Sequence, residues 1–423
     1  MKPQNKQLFF LLIVLIISTI GNSQDIIVSK ISFVNCKKNS APFLEKLIET
    51  KEGAILDSVQ LQDDIRILER LASIASAQFT IQYLQKEAEV IFNVTENFTL
   101  IPSANVYTTN NDEFAFRIGV REFNLFKRNI QFGGFYQRDI FNSFNIGFRA
   151  PNIITRNLGI SINYQDFTTL EPVFLDNGTA DYKYNNESIE VLALYRFNLL
   201  HRIELGGSIF EENYDYVSGV RDPNIPEQLS VGKHLFKLIY EYSDLDFEYY
   251  YVSGFRSILN FQYVGSNDKI LPEFLIGWND FLFYKRIGLK GNWASRIRAG
   301  LATNAESPFA PFAVDNNLNI RGVGNTIDRG TGVFVVNSEY RHTLYEKDWF
   351  VIQSNIFIDA GSWRNPGGDF SDFGDDQNIR VYPGVGLRFV HKRIFNAILR
   401  IDYGYGITKD ATRGLVFGIG QYF

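Results

Sequence analysis

The chain has 423 residues, a formal net charge of −5 and 15% aromatic residues, with four histidines and a single cysteine, Cys36. An acidic chain lacks the basic face that nucleic acids bind, and one cysteine can form neither an internal disulfide nor a cysteine-based zinc site. We therefore expect no nucleic-acid partner, no metal site and no cofactor.

The first 23 residues have the pattern of an export signal. Lys2 and Lys6 precede an apolar run from Leu8 to Ile17, and small residues lie just before Gln24. The alternative is a membrane anchor, but a spanning helix needs roughly 20 apolar residues, and this run is about half that length. We predict a signal peptide over residues 1–23 and an exported protein that begins near Gln24.

Residues 24–97 combine strand and helix patterns. The periodicity of apolar residues predicts, in order, a strand, two helices and two strands over residues 26–34, 41–49, 57–71, 76–84 and 87–95. The buried face of the second helix is predicted to contain Val59, Leu61, Ile65, Leu68 and Leu71, and Asp57 or Ser58 is expected to cap it. This small α+β (β-α-α-β-β) unit and its closing segment Val90–Glu96 resemble a POTRA domain, the periplasmic module of the Omp85 superfamily. A generic small α+β domain is the alternative.

From Phe98 onward, short runs with alternating apolar and polar residues replace the helical spacing. In the run near Leu399, for example, Ile401 and Tyr403 oppose Arg400 and Asp402. An apolar face outside and a charged face inside is what a transmembrane barrel requires. A soluble sandwich would also alternate, but its inner face would be the apolar one.

We predict an all-β transmembrane barrel over residues 98–423, with about 16 antiparallel strands, an even number as single-chain barrels have. The predicted strand centres are Pro102, Arg117, Gly134, Gly147, Ile162, Leu192, Leu205, Leu238, Leu259, Ile276, Ile297, Val335, Ile356, Gly386, Leu399 and Ile419. The long loops, expected outside the cell, are predicted over residues 175–184, 217–229, 302–331 and 363–378.

The link before the twelfth predicted barrel strand contains Ile320-Arg321-Gly322. The Omp85 superfamily has a [V/I]-R-G-[F/Y] signature in the same loop, so these three residues match it. The chain departs at Val323, where the family has an aromatic residue, and we expect this to weaken the packing of the loop tip against the barrel wall.

Two neighbouring strands carry further matches. The family motif F-x-D-x-G on the thirteenth strand corresponds to Phe357, Asp359 and Gly361, and the glycine-rich segment on the fourteenth ends in a lumenal arginine, here Gly386 and Arg388. Glu339 stands where the family often has an acidic residue on the twelfth strand. Period two places Glu339 and Asp359 on the inner face, where both carboxylates can meet a guanidinium from the loop. We predict that Arg321 folds inward as a latch; the alternative is a solvated loop charge.

The last strand carries a further family feature. Leu415, Phe417, Ile419 and Phe423 are predicted to point toward lipid, and an aromatic final residue resembles the C-terminal signal of outer-membrane barrels. Gly418 and Gly420 weaken this strand, which predicts a weak seam between the first and last strands.

The resemblance to the Omp85 superfamily, and within it to the BamA/TamA family with a single POTRA domain, implies location and function. It implies a Gram-negative outer membrane, with the N-terminal domain in the periplasm, and assistance in inserting barrel proteins or translocating polypeptides. The implied partners are outer-membrane lipid, unfolded outer-membrane or secreted polypeptides, and accessory lipoproteins. The alternative is a passive or accessory pore. We expect no enzymatic activity and no catalytic residues, since Gly322-Val323-Gly324 lacks the context of a dinucleotide loop and no histidine lies in a nucleophile motif.

Overall fold

The computed structural model describes residues 26–108, 114–175, 178–248, 250–305, 310–314, 319–323, 328–395, 397–409 and 411–423. The predicted signal peptide and Gly324 lie outside these residues.

A small α+β unit opens the described chain. Its elements are β1 (Ile27–Val34), α1 (Ala41–Leu47), α2 (Ser58–Glu69), β2 (Ile74–Leu84) and β3 (Glu87–Glu96). Strand β3 is central, parallel to β1 and antiparallel to β2. The predicted β-α-α-β-β order is therefore confirmed. Within the described residues, no helix has both the length and the apolar character needed to cross a membrane.

The two helices pack on one face of this sheet because their apolar residues recur at helical spacing. Leu44, Leu61 and Leu68 are fully buried against Val90 and Phe92 of the central strand. The carboxylate of Asp57 caps α2 by accepting the backbone N–H groups of residues 59 and 60.

The prediction for Val59 was wrong, since its side chain is 73% exposed. Val59 precedes Leu61 by two positions, which is about 200° around a helix and therefore on the opposite face.

Sixteen strands form one antiparallel sheet that curls into a barrel. The strands that follow the small domain are β4 (Leu100–Thr108), β5 (Phe114–Leu125), β6 (Ile130–Arg138), β7 (Asn142–Ala150), β8 (Leu158–Leu175), β9 (Gly178–Arg196), β10 (His201–Gly219), β11 (Gln228–Glu248), β12 (Tyr251–Asn267), β13 (Pro272–Ile287), β14 (Gly291–Ala302), β15 (Phe312–Val314), β16 (Asp328–Gly330), β17 (Gly332–Glu346), β18 (Phe350–Arg364), β19 (Ile379–His391), β20 (Ile398–Tyr405) and β21 (Arg413–Ile419). β15 and β16 form a separate hairpin within the long link between β14 and β17. Each predicted strand centre lies in one of the barrel strands.

The barrel wall has the predicted polarity. Outward residues such as Leu205 and Ile356 are 55% and 62% exposed, whereas the inward Glu204 and Asn355 beside them are buried. The exterior is therefore apolar and the interior polar, because side chains alternate between the two faces along each strand.

The prediction of a long loop over residues 175–184 was wrong. Residues 175–184 belong almost entirely to a hairpin, since β8 ends at Leu175 and β9 begins at Gly178. Strands β8 and β9 are 18 and 19 residues long, and Leu175 at the end of β8 pairs with Gly178 at the start of β9. The three other predicted loops are present over residues 220–227, 303–331 and 365–378.

The barrel closes at a seam between β4 and β21, the two ends of the sheet. These edge strands lie side by side, yet no hydrogen-bonded ladder joins them among the described residues. Just before β4, Phe98 is bonded to the link between β19 and β20: Phe98 N donates to Arg393 O at 3.1 Å, and Phe395 N donates to Phe98 O at 3.2 Å.

The small domain lies beneath the barrel mouth. Arg70, just after α2, donates to the carbonyl of Leu199 and, at 3.1 Å, to that of Ser243, and Arg66 of α2 lies 3.0 Å from Asp244. A cavity of about 920 Å³ remains between the domain and the barrel.

Candidate functional site

Residues 319–323 lie in the link between β14 and β17, and we call them the latch segment. All five are buried inside the barrel. The side chain of Arg321 has no exposed surface. Its Nε and Nη2 donate to Oδ2 and Oδ1 of Asp359 at 2.8 and 2.9 Å, and its backbone N–H donates to Oδ2 at 2.9 Å. This paired geometry is the strong form of an arginine–carboxylate contact. Arg321 therefore occupies the predicted inward position.

Glu339 on β17 accepts from three arginines. Arg321 Nη1 donates to Oε2, Arg341 Nε donates to Oε1, and Arg388 Nη2 lies 3.5 Å from Oε2. Glu339 and Asp359 are inward on neighbouring strands because Glu339 pairs with Phe357, two residues before Asp359. The carboxylate contacts predicted for Glu339 and Asp359 are both present.

A third carboxylate, Asp402 on β20, was missed by the sequence analysis. Arg388 Nη1 donates to its Oδ1 at 2.8 Å, Arg321 Nη1 lies 3.7 Å away, and Arg400 lies 3.6 Å from Oδ2. The sequence did contain a signal for Asp402, because the apolar–polar alternation of β20 placed this residue on the inner face. What the sequence could not show was that Arg388 and Arg321 converge on it.

Four arginines thus surround three carboxylates inside the barrel. Removing ions from water costs several kcal/mol each, and only close pairing offsets that cost. The arrangement is therefore sensitive to the loss of any member. Arg321 differs from the other three arginines because it belongs to a loop, whereas they belong to strands of the barrel wall.

Aromatic rings lie close to the Arg321 guanidinium. Its Cζ lies 3.7 Å from the ring centroid of Phe357 and 4.5 Å from that of Tyr422. Cations are attracted to aromatic faces, more strongly where water is excluded. Phe357, the first residue of the F-x-D-x-G motif, therefore contacts the arginine that the aspartate of the same motif binds.

Two glycines allow the loop backbone to approach the wall. Gly322 has φ +97°, and a Cβ there would lie 2.6 Å from Cα of Gly404 on β20. A Cβ on Gly404 would lie 2.1 Å from the carbonyl oxygen of Arg321. The backbones at these two positions are in direct contact, so neither tolerates a side chain.

Gly386 has a similar role between two polar side chains. It pairs with Asn355 on one side and Asp402 on the other. Asn355 Nδ2 donates across it to Asp402 Oδ1 at 3.2 Å, and a Cβ at Gly386 would lie 2.1 Å from that oxygen. The glycine-rich segment of β19 therefore leaves open the space in which the charged network forms.

Val323, the departure from the family signature, is well packed. It is 1% exposed and lies in a buried cluster with Ile320, Val335 and Trp363. Thr412 Oγ1 also donates to the Val323 carbonyl at 2.6 Å. The expected weakening of the loop tip is not seen, because the Val323 side chain is packed within a buried cluster of aliphatic and aromatic residues.

The end of the chain differs from the prediction. Phe417 and Ile419 face outward as expected, with 51% and 46% exposure. Strand β21 ends at Ile419, and Gly420 turns the chain at φ +89°. The ring of Phe423 lies about 5.9 Å from the guanidinium carbons of Arg321 and Arg341, so it points into the lumen and not toward lipid.

The hairpin of β15 and β16 crosses the far mouth of the barrel. Arg329 pairs with Glu171 on β8, and Asp328 lies 3.1 Å from Arg380 on β19. Strands β8 and β19 are nine positions apart in the sixteen-stranded sheet (β9 to β14, then β17 to β19), so they are on nearly opposite walls. The hairpin is therefore attached on both sides of the opening.

No family model and no curated protein matches the chain. Solved structures of similar fold include BamA from Haemophilus ducreyi lacking POTRA domains 1–3, with 15% identity, TM-score 0.56, and coverage of 93% of this chain and 84% of that one. They also include CdiB from Acinetobacter baumannii, with 15% identity, TM-score 0.60, and coverage of 94% and 74%. CdiB from Escherichia coli has 12% identity, TM-score 0.63, and coverage of 93% and 75%.

These likenesses extend over 93–94% of this chain and 74–84% of the solved chains. The fold expected from the loop and strand motifs is confirmed: this chain has a β-barrel fold similar to that of BamA and CdiB.

Proposed function

We propose that the protein is an Omp85-type outer-membrane protein that assists the insertion of β-barrel proteins or translocates polypeptides across the outer membrane. The observation that carries this proposal is the burial of Arg321 between Asp359 and Glu339 inside a barrel whose edge strands share no ladder among the described residues. A loop fixed in the lumen by buried ion pairs restricts passive diffusion through the barrel.

The proposal places the α+β unit in the periplasm as a single POTRA domain. Its β2 is an edge strand with one hydrogen-bonded neighbour, β3. An extended polypeptide can add to such an edge through backbone hydrogen bonds. The edge residues 74–78 also line the cavity below the barrel, which gives a bound client a short path to the barrel mouth.

The clients are unfolded outer-membrane or secreted polypeptides, and accessory lipoproteins are further partners. Depletion in the native cell, followed by an inventory of outer-membrane and secreted proteins, tests the proposal. Loss of barrel proteins supports insertion, and loss of a secreted protein supports translocation. Unchanged inventories would overturn both.

A reconstituted assay separates this function from that of a pore. Proteoliposomes containing the full chain should accelerate the folding of a urea-unfolded barrel client, measured by its heat-modifiable electrophoretic mobility. In planar bilayers we expect small fluctuating currents. Large steady openings without folding activity would favour a passive pore.

A further inference from the structure

We infer that Tyr422 is a positioning residue. It connects the end of β21, the edge strand at the seam (here the seam strand), to Arg321 in the latch segment. The inference deepens the proposed function and rests on it for the link to client handling. Its physical part, the coupling of two segments, stands on geometry alone.

The first observation is the course of the chain after β21. This strand is one edge of the seam, and its register with β20 ends at the pair Leu399 and Ile419. At Gly420 the backbone adopts φ +89°, and Gly420 N donates to Ile398 O at 2.7 Å. The chain therefore leaves the wall at a defined position and turns inward.

The second observation is where this turn places Tyr422. Its side chain is buried, and its ring centroid lies 4.5 Å from the Cζ of Arg321 and 4.8 Å from that of Arg400. The rings of Phe357 and Phe423 lie 3.7 and 5.9 Å from the Arg321 Cζ, so Tyr422 is the nearer of the two rings from the chain end. Phe357 belongs to β18 of the wall, whereas Tyr422 belongs to the short segment that follows the edge strand β21.

The consequence is mechanical coupling. If β21 moves away from β4, Tyr422 must either leave the guanidinium or move Arg321 away from Phe357 and Asp359. Only two residues separate Tyr422 from the last residue of β21, so Tyr422 cannot stay in place while the end of β21 moves far. Displacement of the latch segment therefore removes a contact that holds the end of the seam strand. In the same way, opening of the seam removes a contact that holds the latch segment.

A labelling experiment on the full chain tests this coupling. In a Cys36→Ser background, Val323→Cys places a thiol at a buried position of the latch segment. Tyr422→Leu removes the ring, Tyr422→Phe keeps it, and Tyr405→Leu removes an outward ring on β20 as the matched control. Heat-modifiable mobility shows that each barrel is folded.

We expect Tyr422→Leu to raise the rate of maleimide modification about tenfold or more, as the loss of a desolvated cation–aromatic contact implies. Tyr422→Phe and Tyr405→Leu should stay within about twofold of the parent, since both keep that contact. Added to Arg321→Ala, Tyr422→Leu should have no further effect, because residues that act through one another are not additive. If Tyr422→Leu fails to assemble, Tyr422→Met takes its place.

Two results would overturn the inference. One is a folded Tyr422→Leu barrel with the parental labelling rate. The other is a Tyr422→Phe variant that labels as fast as Tyr422→Leu, since the ring face would then have no part. Faster labelling with unchanged client folding in proteoliposomes would support the coupling and count against the proposed function.

Discussion

The terminal methyl of Ile320 occupies the space above Gly361, where a Cβ would lie 2.7 Å from Ile320 Cδ1. The I-R-G segment of the loop and the F-x-D-x-G motif of β18 are thus complementary at two points, the ion pair of Arg321 with Asp359 and this close apolar contact. The two motifs form one site although the ion-pair partners are 38 positions apart in the chain.

This contact predicts a rescue. Gly361→Ala should push Ile320 from its place and destabilise the folded latch segment by about 1–3 kcal/mol, as overpacking does in a tight core. Adding Ile320→Val removes the clashing methyl and should recover most of the loss. Maleimide labelling of Val323→Cys measures both effects. A double variant that labels faster than Gly361→Ala would contradict the proposed complementarity.

Arg321→Ala should leave the barrel folded but release the latch segment. It leaves Asp359 and Glu339 buried without their shared partner, which typically costs about 3–5 kcal/mol. Limited proteolysis between β14 and β17 should become faster, and client folding should fall. The matched control is Arg221→Ala, which removes an exposed far-end arginine that pairs with Glu227. Unchanged protease sensitivity and activity for Arg321→Ala would refute the latch.

Gly322→Ala should displace the latch segment from the barrel wall, although the substitution adds only one methyl group. Its φ of +97° disfavours a side chain, and the added Cβ meets the backbone of Gly404, which cannot rotate away. Gly404→Ala should have the same effect from the opposite side. Gly232→Ala on β11, where a Cβ meets nothing within 4 Å, is the control. Tolerance of both alanines, measured as parental proteolysis rates, would show that the close backbone contact has no role.

The hairpin across the far mouth should hold the lumen closed through its two ion pairs. Glu171→Gln or Arg380→Gln alone should have a small effect, since partly exposed pairs contribute only about 0–1 kcal/mol. The double variant releases the hairpin from both walls and should raise bilayer conductance more than the sum of the single variants. Equal conductance in all three would show that the hairpin does not limit the opening.

Locking the seam tests whether the wall opens. A flexible bis-maleimide joining cysteines at Ala104 on β4 and Ile419 on β21, in a Cys36→Ser background, should stop client folding in proteoliposomes. Modification of either single cysteine controls for the reagent. Full activity with the cross-link formed would exclude lateral opening.

Much of this protein could be predicted from its sequence, because period-two alternation is a local property. It placed Glu339 and Asp359 inside and Ile356 outside, and it located all sixteen barrel strands. The polar stretch between β8 and β9 was harder to interpret, since the same composition is typical of a tight hairpin and of a long loop.

Only the tertiary structure decided which inward residues meet. Asp402 and Gly404 lie on the predicted inner face of β20, but their contacts with Arg321 depend on the curvature of the barrel and the path of the loop. Phe423 falls on the predicted outer face of β21 in sequence, yet the chain leaves the sheet at Gly420 and Phe423 turns inward. The Ile320-Arg321-Gly322 segment had a local signature, whereas its burial depends on glycines and carboxylates from β17, β18, β19 and β20, which are distant in sequence and adjacent only in the closed barrel.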